Sequence, residues 1–322
     1  MRTLVTGGAG FIGSHLVDRL MACGDEVTVL DNLETGTPRN LLHLGAPNFR
    51  FINASILAES TVDELIKETD RVFHLAAAVG VRHIVENPLH SLLTNTRGTD
   101  FVLAACFRYW KKVLVASTSE VYGKTTKIPM VETDGRVLGP TTVQRWSYST
   151  AKAVDEHLAL AYGEQGLPVV IVRYFNAYGP RLDPKGYGSV IANFLRQAES
   201  GEPLSVHGDG KQSRCFTYID DTVEGTIRAM ETPAAEQHVF NIGNPDTEIS
   251  ISDLAKKISA LVGSESQIVL QDYETYYGAG FEDTMRRVPS NALVYAALGW
   301  QPVVDLDTGL ERTYAWWLTR NA

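Results

Sequence analysis

Cysteine is scarce in this chain of 322 residues. Cys23, Cys106 and Cys215 are far apart and form no C-x-x-C pair. That excludes a disulfide framework and a zinc ribbon, and it fits a reducing compartment, the cytoplasm. No metal site is expected. Blocks of Lys or Arg are missing and the formal net charge is −9, so a nucleic-acid partner is not expected, although local basic pockets remain open to anions. Long apolar runs are missing too. Stretches such as "FVLAACF" fall far short of the roughly 20 residues that cross a bilayer, so no membrane partner is expected. The opening "MRTLVTGG" enters a strand directly and lacks the layout of a secretory signal. Internal repeats and low-complexity tails are absent.

What is present is an alternation. "RTLVT", "EVTVLD", "FRFINA", "RVFHLAA", "KKVLVAS" and "PVVIVRYFN" read as strands. Helical patterns lie between them at "FIGSHLVDRLMACG", "NPLHSLLTNTRGTDFVLAACFRYW" and "SYSTAKAVDEHLALAYGEQG". Strands of continuous Val, Ile and Leu are buried on both faces, so the fold class is α/β: a Rossmann-type, doubly wound parallel sheet. After residue 174 Pro and Gly become frequent and helical patterns recur at 187–199, 220–231, 251–262 and 307–318. The expected division is a dinucleotide-binding domain over 1–173, joined by 215–242, and a smaller α/β substrate-binding region over 174–214 and 243–322.

"VTGGAGFIG" sets Gly7, Gly10 and Gly13 between the first strand and the first helix. A tight turn there lets the backbone approach a pyrophosphate at the helix N-terminus. Asp31 ends the second strand. A carboxylate there accepts hydrogen bonds from an adenosine ribose and repels a 2′-phosphate, which favours NAD. "YSTAK" puts Tyr148 and Lys152 on one helix face. An ammonium and a nicotinamide cation nearby would lower the tyrosine pKa, and the phenolate could then take a hydroxyl proton while hydride leaves the same carbon.

Together with "HLAA" (74–77), "NTRGT" (95–99), "STSEVYG" (117–123) and "RYFNAYGPR" (173–181), these motifs resemble the extended short-chain dehydrogenase/reductase family, whose members act on nucleotide sugars. The resemblance implies a catalytic set of Thr118, Tyr148 and Lys152. It further implies NAD contacts at Gly7, Gly10, Phe11, Ile12, Gly13, Asp31, Asn32, Ser55, Ile56, Leu75, Ala76, Ala77, Asn95, Tyr148 and Lys152. Ser55-Ile56 stands where many relatives have Asp-Ile, which removes a charge from the adenine end.

Within that family "STSEVYG" is similar to the UDP-glucuronate decarboxylases. Ser119-Glu120 replaces the Asp-Glu pair typical of dehydratases, so the acid for a leaving hydroxyl is missing. By motif position Glu120 and Arg287 fall on the decarboxylases' acid/base positions. Substrate contacts are implied at Val79, Arg82, Thr118, Ser119, Arg145, Asn176, Arg181, Arg214, Phe281 and Arg287. Arginine suits these places because its fork pairs with phosphate and carboxylate oxygens. The expected reaction is oxidation at C4 followed by loss of CO₂ to give a UDP-pentose or its 4-keto form. The alternative is a UDP-glucuronate or UDP-hexose 4-epimerase, which "AVGVRHIVENP" after the fourth strand resembles more closely and which brings Arg82 and His83 towards the sugar. A non-catalytic NAD-sensing protein is a third reading, against which the intact triad argues.

Plainer roles stay open. Glu120 could cap the turn after the fifth strand, and Arg287 could belong to a solvated charge pair. His74 reads as a structural histidine and Cys215 as core. The apolar face of "FVLAACFRYW", with the helix at Tyr148, is expected to form a homodimer.

Overall fold

Runs of β-branched and aromatic residues set the centre of the molecule. The computed structural model describes residues 1–80, 87–182, 189–273 and 282–320. Its main strands are β1 (Arg2–Thr6), β2 (Glu26–Asp31), β3 (Phe49–Asn53), β4 (Arg71–His74), β5 (Lys112–Thr118) and β6 (Val169–Tyr174), joined by Val239–Ile242. Across the sheet the order is Val239–Ile242, β6, β5, β4, β1, β2, β3, and every neighbouring pair is parallel. This is the doubly wound sheet expected from the alternation. The chain runs outward from β1 to β3 and then returns to β4, so a crevice opens between the carboxyl ends of β1 and β4, where ligands of such sheets sit.

Helices cover both faces: α1 (Phe11–Ala22), α2 (Glu59–Glu68), α3 (Pro88–Tyr109) and α4 (Ser147–Glu164). β6 is buried throughout, as a strand covered on both faces must be. Fully burying each of its Val and Ile side chains is worth about 1.5–3 kcal/mol. The later helical patterns appear as Val190–Ser200, Ile219–Glu231, Ile251–Val262 and Leu306–Thr319. Phe194, Trp300 and Trp317 from this second region share one core cluster with Leu114 and Val170 of the sheet.

Small sheets hold the second region in place. Ser213–Cys215 pairs antiparallel with Glu248–Ser250 and parallel with Arg286–Arg287. Leu204–His207 pairs parallel with Ile268–Gln271. These strands of two to four residues, with α2 and the helix Ala292–Leu298, were not anticipated. Strands so short carry too few residues to show a period. Among the described residues no helix is long and apolar enough to cross a membrane.

Candidate active site

The glycine turn is shaped by close contact. Gly7 has φ +73°, and a Cβ there would stand 2.7 Å from the Ala76 nitrogen. A Cβ on Gly13 would lie 2.1 Å from the Gly7 carbonyl oxygen. Only glycine fits at either place. No side chain caps α1, whose N-cap is Gly10, so its first N–H groups are left for an anion. Asp31 accepts from the Ala9 N–H at 2.9 Å and the Leu33 N–H at 2.8 Å. It therefore braces the turn while lining the cavity. Ser55 accepts from the Leu57 N–H at 3.2 Å, and buried Ile56 would meet any Cβ on Gly98. Asn95 grips the loop after β4, accepting from the Ala78 N–H and donating to the Ala78 carbonyl.

One continuous cavity of about 1470 Å³ begins at Gly7, Gly10, Phe11, Ile12 and Gly13. It passes Asp31, Asn32, Ser55, Ile56, Leu75, Ala76, Ala77 and Val79, reaches Thr118, Ser119, Glu120, Arg145 and Tyr148, and continues to Asn176, Arg181, Arg214 and Arg287. Its residues thus fit a dinucleotide at one end and an anionic ligand at the other. Lys152 and Asn95 stand behind its wall. Arg181, expected at the substrate, lines the cavity and pairs with Asp18 of the cofactor-turn helix α1 at 2.5 Å. Arg82, His83 and Phe281 lie outside the described residues.

Thr118 ends β5 and caps the short 3-10 helix Ser119–Tyr122, accepting from the Glu120 N–H at 3.1 Å. The cap is therefore the threonine, which leaves the Glu120 carboxylate for other work. Arg145 Nη1 lies 2.6 Å from Glu120 Oε2, and Arg287 Nη1 lies 2.8 Å from Oε1. Burial pushes the Glu120 carboxyl up, but the two guanidiniums outweigh it and hold it well below the usual carboxylate range. Glu120 is thus ionised at neutral pH. As it stands it is an acceptor and an anchor, and not a proton donor. Arg287 is buried, whereas its neighbour Arg286 is exposed on Glu248. Successive residues of a strand face opposite ways, so the Arg-Arg pair is split between the cavity and the surface.

Tyr148 departs from the expectation. Burial, then repulsion from Glu120 and Asp155, pushes its phenol above the ordinary value. The Lys152 ammonium is matched by Asp155, three residues on, with Nζ 2.7 Å from Oδ2. The chain alone therefore does not lower the tyrosine, whereas a nicotinamide cation beside it would act against that rise. Asn176 donates to the Cys215 carbonyl at 2.9 Å. Arg214 donates to Asp283 at 3.0 Å, and Tyr273 donates to the same carboxylate at 3.1 Å. His74 is structural, between Thr6 and Thr99. Cys215 is buried, as read. Asp155, Asp283 and Glu282 were missed. Asp155 alone had a signal, its spacing from Lys152 on one helix face.

Residues 3–243 match the model of the NAD dependent epimerase/dehydratase family. The chain belongs to that family. Its expected cofactor, NAD, is the one in the family's description, and the glycine cradle fits it. The chain is 44% identical over 315 residues to a UDP-N-acetyl-alpha-D-glucosaminuronate decarboxylase of Bacillus cytotoxicus, covering 98% of this chain and 97% of that one. It is 40% identical over 317 residues to UDP-glucuronic acid decarboxylase 1 of Xenopus tropicalis, covering 97% and 71%. The crystal structure of a UDP-glucuronic acid 4-epimerase from Bacillus cereus, with UDP-glucuronic acid and NAD, superimposes with a TM-score of 0.88 at 30% identity over 99% of both chains. This member of the epimerase/dehydratase family therefore shares its fold with epimerases, and near-complete coverage at higher identity with decarboxylases.

Proposed function

We propose that this protein is an NAD-dependent decarboxylase of a UDP-linked hexuronate, with UDP-glucuronate as its substrate. The observation that carries this is the Glu120 carboxylate clamped between Arg145 and Arg287 in the wall that also holds Thr118 and Tyr148. Two guanidiniums against one carboxylate leave a single positive charge, which suits one further carboxylate. Bound NAD would supply the acceptor for the C4 hydride. Tyr148 receives the O4 proton, and Thr118 orients the hydroxyl. The C4 ketone then lies β to the C6 carboxylate. The C5–C6 bond breaks with its electrons flowing to the ketone, CO₂ leaves, C5 takes up a proton from water, and C4 regains its hydride while Tyr148 returns the proton to O4, which leaves a UDP-pentose. Arg145 and Arg287 hold the carboxylate in register until it departs.

Mass spectrometry after incubation with UDP-glucuronate tests this, because the expected product is lighter by one CO₂. Two other outcomes have support of their own. The 44% identical relative is named for a 2-acetamido uronate, so loss of CO₂ only from UDP-N-acetylglucosaminuronate assigns that substrate instead. An isomer of unchanged mass assigns 4-epimerisation, as in the Bacillus cereus neighbour.

A homodimer through α3 and α4 belongs to the same reading. These helices pack on each other, and Leu89, Leu93 and Val154 on them are exposed. Leu89 and Leu93 share a helix face. Sedimentation should give a dimer, and Leu93→Glu with Val154→Glu a monomer. The cytoplasm suits three free cysteines.

A further inference from the structure

Lys152 is held from behind the cavity by a chain of buried polar groups. Its Nζ donates to Asp155 Oδ2 at 2.7 Å, and both side chains are buried. Thr99 of α3 stands beside Asp155 and supports its charge. Thr99 Oγ1 lies 3.0 Å from His74 Nε2, and His74 Nδ1 lies 2.8 Å from Thr6 Oγ1. That last hydroxyl also accepts from the Ala76 N–H at 3.2 Å.

Burial, with the nearby Lys152 charge, pulls His74 down to about 3, so the ring is neutral and carries one proton, held between the Thr6 and Thr99 hydroxyls. The buried polar groups therefore reach from the end of β1 beside the cofactor turn to Thr99, which stands beside the counter-ion of Lys152.

We propose that Asp155 is a positioning residue of the reaction: it fixes the Lys152 ammonium from behind the cavity wall, and its charge sets the pH at which Tyr148 gives up its proton. The charged groups facing Tyr148 are Lys152 and Asp155 from its own helix, Arg145 from the turn before it and Glu120 from the end of β5. Asp155 itself faces Lys152, Glu156 and Thr99. Beside Asp155, loss of the Tyr148 proton adds a negative charge in a buried place already facing Glu120. Without the Asp155 charge that place carries one negative charge fewer, so the proton departs at lower pH.

The variant Asp155→Asn keeps the shape and removes the charge. In a single turnover with NAD and UDP-glucuronate, reduced nicotinamide should form with an acid limb about one pH unit or more below that of the parent. A limb at the parent's pH, with only the amplitude reduced, makes Asp155 merely structural and overturns the proposal. Asp155→Ser gives the same shift should the asparagine not fold, and failure of both to fold overturns it as well. The substrate in this test rests on the proposed function. If the parent forms no reduced nicotinamide from UDP-glucuronate, that reading fails and Asp155 is tested without substrate. Tyrosinate absorbance of the NAD-bound protein, minus that of its Tyr148→Phe counterpart, should then appear at lower pH in Asp155→Asn. Coincident curves, including no signal in either, overturn the proposal.

Discussion

Glu120 carries a full charge into an interior that disfavours it, and two guanidiniums decide the balance. Glu120→Gln removes that anchor and leaves Arg145 and Arg287 facing each other without the carboxylate between them. Breaking a buried pair in this way costs about 3–5 kcal/mol, and urea unfolding of parent and variant at pH 7 should show a loss of that order. The sign with pH is fixed by the direction of the shift. A carboxyl depressed in the folded state contributes stability above its unfolded value of about 4.3 and loses it as pH falls through the folded value. The parent-minus-variant difference should hold constant from about pH 8 to pH 5.5 and shrink in more acid solution. A difference that shrinks near neutrality would mean that Glu120 is not the clamped carboxylate seen here. Chemistry should split as well: in Glu120→Gln the arginines that align the substrate carboxylate lose their anchor, so CO₂ release should fall by about a hundredfold or more, while C4 oxidation, seen as reduced nicotinamide, persists. Tyr148→Phe should do the reverse at the first step, abolishing reduced nicotinamide while NAD still binds.

The loop from β1 into α1 acts as one element, and its sequence spells it out. Gly13→Ala puts a methyl 2.1 Å from the Gly7 carbonyl oxygen, so the turn must open. The expected result is loss of measurable NAD binding by calorimetry, with unfolding easier by about 1–3 kcal/mol, the usual penalty of overpacking. Elements of this kind were legible because each residue type has one physical reason to be there: glycine for close approach, Asp31 to end β2, and Val and Ile to bury both faces. Tyr148 and Lys152 were legible through their spacing. Lys152's partner was not, because an aspartate in "AKAVDEHL" looks like any charge on a helix until its burial is known. The orientation of the Tyr148 phenol's shift was hidden for the same reason, since it depends on carboxylates brought in from elsewhere.

At the scale of the whole molecule the site is gathered from distant segments, and here single-sequence reading reaches least far. Arg287 meets Glu120 only because Arg286–Arg287 pairs with Ser213–Arg214, while the Met130 N–H donates to the Val288 carbonyl at 2.8 Å. No periodicity marks a two-residue strand. Resemblance to a family supplied Arg287, and geometry supplied what ties its segment down. That tie is Glu282, which accepts from Lys124 Nζ at 2.8 and 2.9 Å and from Trp146 Nε1 at 2.8 Å. It ties the segment bearing Asp283 and Arg287 to the loop after β5 and to the turn before α4. Because Asp283 in turn holds Arg214, loosening this tie frees two cations of the substrate end at once and leaves Thr118 and Tyr148 untouched. Glu282→Ala should therefore raise KM for UDP-glucuronate roughly tenfold and leave kcat within about threefold, the pattern of lost uniform binding. Steady-state rates at saturating NAD measure both constants. A fall in kcat at constant KM would instead show that the tie governs the bond-breaking step, and that Arg287 acts on the carboxylate only as it departs.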